Sequence, residues 1–343
     1  MSEMADMLAH SAGQLFAALS GPADVRRIEA GGSWDALWSE IESAGFADAL
    51  VPEADGGAGL SGQEAAVLLF LAGAHALPLP LGQTMIARAA ALRCGLALPE
   101  GPVAIAGHPA SAADGVVVLA DVPYGATCRH VLASIAGRFV LLPTKSARIE
   151  RSGVHGSLTA TLSLPETTVA EAAADLDAAG VDWLAAGAVV TAARMVGAME
   201  RALAMTVDHA NQRVQFGKPI GRLQAVQQQI SVMVEEVFAA RIAVSLALAQ
   251  EPPHGIMAAV AKTRAGEAAA VAAAVAHAVH GAIGITEEFD LQLLTRQLHE
   301  GRVQFGGERY WNQRLGEAAL AESTTPLEFV QAISADRRMA DIV

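Results

Sequence analysis

Cysteine is nearly absent. The two present, Cys94 and Cys128, sit in unrelated contexts, so no disulfide framework or cysteine-based metal site follows and a reducing, cytoplasmic setting is expected. Aromatic residues make up only 4% of the chain while alanine is abundant, which favours helices packed closely through small side chains. Positive charge is also scarce: 23 Lys and Arg against 36 Asp and Glu give a formal net charge of -13 and a sequence pI of about 5.2. That balance argues against a nucleic-acid partner and leaves no polybasic patch for a membrane. The start of the chain carries Glu3 and Asp6 and lacks a basic segment ahead of an apolar core, so a secretory leader is not expected. The apolar run Ala265–Ala282 is interrupted by Glu267, His277 and His280 and reads as a buried helix rather than a membrane span.

The 343 residues suffice for two or three domains with a sizeable core. Periodicity divides them into an N-terminal helical domain (1–100), a reduced β domain (101–170) and a C-terminal helical bundle (171–343), an α+β but mainly α class. In the first part Ser33 is a candidate cap for a helix carrying Leu37, Trp38 and Ile41, and Gly45 ends it. A second helix is expected from about Ser61 to His75, and a third runs to about Gly95 after Leu77-Pro78-Leu79-Pro80. Gly57-Ala58-Gly59-Leu60-Ser61-Gly62 satisfies the GxGxxG pattern. Pro52, Glu53 and Asp55 precede it in place of a strand, and no carboxylate follows near position 82, so a dinucleotide fingerprint is rejected. Short apolar runs at Val116–Leu119, Val131–Ile135, Phe139–Leu142 and Leu158–Leu162, punctuated by Gly and Pro, read as strands. From about 178 onward four long helices are expected, with late breaks at Gly301 and Gly306-Gly307. Ser323-Thr324-Thr325-Pro326 begins a final short helix.

One stretch gathers positive charge on this acidic chain: Asn211-Gln212-Arg213-Val214-Gln215-Phe216-Gly217-Lys218-Pro219-Ile220-Gly221-Arg222-Leu223-Gln224. Helical patterns flank it, and Gly217 followed by Pro219 is a stop signal, so it reads as an elbow between two helices. Exposed amides and the cations Arg213, Lys218 and Arg222 suit a phosphate. Asp208, His209 and His277 fall on helical faces with no ligand spacing around them, and Val303 in place of a second histidine excludes a zinc motif at His299-Glu300.

Arg213–Gly221 followed by Leu223-Gln224-Ala225-Val226-Gln227 resembles the flavin-contacting elbow of the acyl-CoA dehydrogenase family. Leu37-Trp38-x-x-Ile41-x-x-x-Gly45-Phe46 and Val51-Pro52-Glu53-x-x-Gly56-Gly57-x-Gly59-Leu60 are similar to its N-terminal helical domain. The resemblance implies FAD as cofactor, acyl-CoA as substrate and α,β-dehydrogenation. It places FAD contacts, made to a flavin held mainly by the neighbouring subunit, on Arg213, Gln215, Phe216 and Gln224. Ala278-Val279-His280-Gly281-Ala282-Ile283-Gly284 is similar to the family's Gln-x-His-Gly-Gly-x-Gly segment, which adds Gly281 and Gly284; Ala278 and Ala282 depart from it. The Thr-Glu-Pro…Gly-Ser-Asp type loop of the family's β domain has no counterpart.

The reaction needs a carboxylate within reach of the substrate α carbon. The family's Glu-Gly pair, nine residues after an Arg, falls at Phe305-Gly306 counted from Arg296, and a second family position for the base falls at about Gly187. Neither is acidic. Glu300, next to Gly301, is the remaining candidate, though it stands four residues after Arg296, where a helical ion pair is the simpler role. These departures resemble the smaller subunit of the heteromeric α2β2 acyl-CoA dehydrogenases of bacterial steroid side-chain degradation, and imply a larger homologous partner that supplies base and flavin pocket. A self-sufficient homomeric dehydrogenase and a non-enzymatic helical scaffold are the alternatives.

Overall fold

Short helices separated by glycine turns form the first hundred residues: α1 (Glu3–Leu19), α2 (Pro22–Glu29), α3 (Asp35–Ser43), α4 (Gly62–Ala74) and α5 (Leu81–Arg93). The computed structural model describes residues 3–172, 174–250, 255–322 and 325–335. The chain divides into two units, Met1–Leu68 with Leu77–Gly187, and Leu69–Ala76 with Ala188–Val343.

In the first unit α3 buries Leu37, Trp38 and Ile41 as their spacing predicts, and Gly45 follows it at φ 74. Ser33 does not stand at the cap. Trp34 does, and the Ser33 hydroxyl instead accepts the Asp35 amide at 3.2 Å, a local turn just ahead of the helix. A capping box absent from the sequence reading starts α4: Glu64 Oε2 accepts the Ser61 amide (3.0 Å), and Ser61 Oγ accepts the Glu64 amide (3.3 Å). The GxGxxG segment follows a 3-10 turn at Glu53–Asp55 rather than a strand. A Cβ on Gly57 would lie 2.2 Å from the Val51 carbonyl oxygen, so this glycine serves close packing within a loop.

Two four-stranded sheets complete this unit. Strands β1 (Val103–Ile105), β2 (Ser111–Ala113), β3 (Val116–Val122), β4 (His130–Ile135), β5 (Arg138–Pro143), β6 (Arg148–Arg151), β7 (Ala160–Pro165) and β8 (Ala174–Asp175) pair in the orders β1-β4-β5-β8 and β2-β3-β7-β6. Among the described residues only β1 with β4 is parallel. Residues of both sheets share one core, including Val117, Leu119, Val131, Leu142, Leu162 and Leu164. Burial pushes the Cys128 thiol in that core up to about 12, which leaves it inert as a nucleophile. Helix α6 (Glu166–Ala172) joins β7 to β8. Beneath α5 the Arg88 guanidinium is buried and satisfied by Glu42, by Asp48 at 3.0 Å and by the Pro99 carbonyl at 3.2 Å.

The second unit holds most of α7 (Trp183–Gln212), then α8 (Gln224–Leu248), α9 (Gly255–His280), α10 (Leu291–Val303), α11 (Glu308–Ala321) and α12 (Pro326–Ala335). Its helices approach at backbone distance. A Cβ on Gly73 would meet the Arg194 carbonyl oxygen at 1.9 Å, and one on Gly197 would meet that of Phe70 at 1.8 Å. Glycine at these two positions is what lets the end of α4 lie against α7. Helix α9 packs against α8, α10 and α11. It is long and apolar enough to cross a membrane by length and composition, yet it buries Lys262, Thr263 and His280 with its alanines as the core helix of the unit.

The expected fourth long helix is two shorter ones. Gly301 does not break α10. It lies inside it, where a Cβ would come within 2.8 Å of Met195. The break falls at Gln304–Gly307, with Phe305 at φ 53 and Gly306 at φ 90. At the final helix Thr325 Oγ1 accepts the Glu328 amide (3.3 Å) and Glu328 Oε2 accepts the Thr325 amide (2.8 Å); Ser323 and Thr324 lie outside the described residues.

Candidate functional site

The basic stretch is not a helix cap. Helix α7 stops at Gln212, and the chain folds into a two-residue-per-strand hairpin, β9 (Val214–Gln215) with β10 (Lys218–Pro219), Lys218 opposite Gln215. Phe216 and Gly217 form its tip at φ 53 and φ 76, the paired positive dihedrals of a tight hairpin turn. The hairpin is closed at its base by the Ile220 amide on the Arg213 carbonyl (2.9 Å), and Arg213 is tied to α7 through its own amide on the His209 carbonyl (2.8 Å). A 3-10 turn at Ile220–Arg222 leads into α8, whose first residue is Gln224, and Gln227 Nε2 donates to the Gly221 carbonyl at 2.9 Å.

Arg213, Gln215, Lys218, Arg222 and Gln224 are all exposed, and Phe216 is 88% exposed. A large aromatic held bare in a left-handed backbone conformation is costly to an isolated chain, and such outliers cluster at ligand clamps. Arg213 and Lys218 on the hairpin, with Arg222 on the turn ahead of the amide-bearing start of α8, form a surface fit for an anion.

The second candidate segment follows α9. Gly281 ends that helix at φ 63 and is exposed. Gly284 is buried, and a Cβ on it would stand 2.9 Å from His280 Cβ and 3.5 Å from His277 Nδ1. The structure brings the two segments together through their helices: the His209 and His280 rings lie 4.5 Å apart, tilted by 32°. Ala278 and Ala282 are exposed on the same segment.

The α10–α11 corner is apolar. Phe305 is 4% exposed, and its carbonyl accepts Trp311 Nε1 at 2.9 Å. A residue that sequence reasoning missed fixes the corner from below. Lys262, 1% exposed, donates from Nζ to the Arg302 (2.9 Å) and Gly306 (2.8 Å) carbonyls. Burial pushes the Lys262 amine down to about 8, opposed by Glu308. Burial also acts to raise the Glu308 carboxyl, but the Arg302 hydrogen bond (2.7 Å) and the Lys262 charge hold it below its ordinary value. A charged residue on an alanine-rich helix gives no periodic signal of such burial, so only the pairing geometry reveals it. Glu300 lies within α10, half-buried, where its carboxylate acts on the Arg194 guanidinium; burial pushes that group down to about 10 and Gln297 Oε1 accepts its Nε–H at 2.7 Å. Gly187, in the first unit, is a buried position of α7. Among the described residues no group of three or more His, Cys, Asp or Glu could hold a metal ion.

Residues 178–320 match the model of the acyl-CoA dehydrogenase C-terminal domain. Over 301 residues the chain is 32% identical to the acyl-CoA dehydrogenase IpdE2 of Mycobacterium tuberculosis, covering 87% of this chain and 91% of that protein. The IpdE2 of Mycolicibacterium smegmatis is 29% identical over 325 residues, 92% of this chain and 98% of that one. Among solved structures, a variant of the Tcur3481–Tcur3483 steroid ACAD superposes with a TM-score of 0.79 at 26% identity, covering 92% of this chain and 97% of that chain. The ChsE4–ChsE5 complex of Mycobacterium tuberculosis gives 0.81 at 22% identity, 95% and 99% covered, a likeness of fold. With the helical, β and helical segments in that order and a relative this similar along nearly its whole length, the chain belongs to the acyl-CoA dehydrogenase family.

Proposed function

We propose that this chain is the clamp subunit of a heteromeric FAD-dependent acyl-CoA dehydrogenase, completing a flavin site built mainly by a larger homologous subunit and supplying no base of its own. Phe305 carries the reading: at the position where family resemblance puts the carboxylate stands a buried aromatic in a corner locked by Lys262 and Trp311. Phenylalanine cannot accept the α proton of a thioester. Gly187 has no side chain to do so, and Glu300 lies within α10, where its charge acts on the Arg194 guanidinium. The connection between β1 and β2 is only residues 106–110, pinned by the Ala106 and Ala110 amides to the Leu132 and Ser134 carbonyls at 2.8 Å each.

The exposed hairpin fits a dinucleotide reaching it from a partner. Arg213 would hold the diphosphate charge, Phe216 would cover the adenine end, and Gln215 and Gln224 would donate or accept at its polar edges. Gly281 and Gly284 would let the backbone approach. When bound, FAD would supply the hydride acceptor for α,β-dehydrogenation. The relatives support a partner and a substrate class: the ChsE4–ChsE5 structure is of a complex, and Tcur3481–Tcur3483 is a steroid ACAD. We therefore assign the substrate as an acyl-CoA of the steroid side-chain type and the partner as a longer homologue.

The test is turnover of an acyl-CoA with an artificial electron acceptor, by the purified chain alone and by its co-expressed assembly with a longer homologue. The assembly turns over and the chain alone does not. Dehydrogenation by the chain alone contradicts the proposal.

A further inference from the structure

Helix α8 is apolar on two sides. Its inner face, with Met233, Val237, Ala240, Val244 and Ala247, is buried, and the helix packs on α9. Its outer face carries Phe238, Ile242 and Leu246 at 59%, 61% and 41% exposure. They follow one another at a spacing of four, so they form a continuous stripe. A lone exposed leucine is ordinary, but large apolar side chains aligned and bare on one helix face mark a contact surface. Ile242 lies five turns after Gln224, on the same line of the helix and about 27 Å from it. Along that side between them stand Gln228, Ser231 and Glu235, all exposed. The face therefore grades from polar beside the hairpin to apolar beyond it.

We propose that the Phe238–Ile242–Leu246 stripe is the seat of the larger homologous subunit, which lays an apolar helix along it. This rests on the reading of the chain as a clamp subunit. The hairpin has two residues per strand and is too small to hold two proteins together on its own. A stable interface buries roughly 800 Å² on each partner. Whatever brings a dinucleotide to Arg213, Phe216 and Gln224 must be held by further surface, and the stripe continues the very helix face on which Gln224 stands. A second copy of this chain seated there would bring no flavin to that face. The stripe also sets the chemistry of its occupant. Side chains spaced by four form a ridge, and a helix that is apolar at spacings of three and four offers the groove that takes it.

The experiment uses the assembly purified from cells that express both chains, with the tag on this one. Ile242→Glu puts a charge on the stripe at an exposed position, so the buried face of α8 and the hairpin keep their own groups. The longer homologue recovered per tagged chain should fall about tenfold or more, and FAD should fall with it. Arg213→Ala, by contrast, should lose FAD and keep the homologue. Leu320→Glu, at an apolar position of α11 that is 88% exposed, should leave both at wild-type levels. Undiminished recovery with Ile242→Glu, or an equal loss with Leu320→Glu, overturns the proposal. Should Ile242→Glu precipitate, benzoylphenylalanine in place of Phe238 reads the occupant in the assembled protein under near-ultraviolet light. An adduct with the combined mass of this chain and the longer homologue supports the stripe as its seat. An adduct of two copies of this chain, or none, overturns it. A wild-type chain that recovers no longer homologue sinks the clamp-subunit reading and the stripe with it, whereas homologue and FAD recovered alike with wild type and Ile242→Glu sink the stripe alone.

Discussion

Lys262→Met probes the support of the Phe305 corner, and its effect depends on pH in a calculable way. The ammonium is buried and donates to the Arg302 and Gly306 carbonyls, so methionine fills the stem's volume and leaves both oxygens without that donor. An orphaned buried acceptor costs about 1–3 kcal/mol, so the two lost bonds amount to roughly 2–6 kcal/mol. Against this, methionine removes a buried charge. The lysine is held at about 8 in the folded chain against an ordinary 10.5, and at about 1.4 kcal/mol per unit its charged form costs roughly 3 kcal/mol at pH 7. The two terms nearly cancel at pH 7, where the variant should lose little stability or none. Between pH 8 and 10.5 the unfolded chain binds the proton that the folded chain has released, so the lysine's contribution grows as pH rises. The stability gap between wild type and variant should widen by roughly 2–3 kcal/mol from pH 7 to pH 10. Urea unfolding at the two pH values measures it, and groups common to both proteins drop out of the difference. A gap that stays constant or narrows would refute the burial argument for Lys262.

Arg213→Ala should weaken FAD retention by the assembly about tenfold or more, the loss of one charge-assisted contact of about 1.5–3 kcal/mol, and Arg213→Lys should rescue poorly because it lacks the planar fork; flavin occupancy after gel filtration reads both. Phe305→Glu in the chain alone should create no acyl-CoA turnover, since a base without a positioned flavin and substrate does nothing and a displacement of about 1 Å can cost a hundredfold. Any measurable rate would show that a pocket had been overlooked. Gly197→Ala should destabilise the second unit by about 1–3 kcal/mol or more, because its Cβ would stand 1.8 Å from the Phe70 carbonyl oxygen and α4 would have to move. An unchanged melting temperature would show that the contact is not tight.

What the sequence disclosed and withheld follows from the range of each signal. The Leu37, Trp38 and Ile41 spacing and the runs at 116–119, 131–135 and 139–142 are local patterns, and they fold as helix α3 and as strands β3, β4 and β5. Strands β1, β2, β6 and β8 are two to four residues long, too short for an alternation to register. Gly217 and Pro219 correctly marked a chain reversal but not its form, since Phe216 adopts a positive φ that its residue type does not advertise. Gly301 and Gly306 look alike in sequence. One is dictated by Met195 across a helix contact and the other by the corner itself, a distinction that needs the partner helix. Helix α9 has no distinct amphipathic face, so nothing in its own pattern marks Lys262 as a buried charge until the neighbouring helices are in place. The same is true of His209 and His280: taken singly each is unremarkable, and their meeting is a product of two helices.

Where the flavin sits, and how much of it each chain carries, decides the role of this subunit. Co-expressed with a longer homologue, the chain should co-purify with it in equal proportion and carry about half an FAD per chain, because each completed site uses one clamp and one pocket. Expressed alone it should be colourless and prone to aggregate, with Phe216, Phe238 and Ile242 among its exposed apolar side chains. Flavin absorbance against protein concentration in the purified species measures this directly. Half a flavin per chain in a mixed assembly is the expected result, and a stable assembly of this chain alone with one FAD per chain would contradict the account.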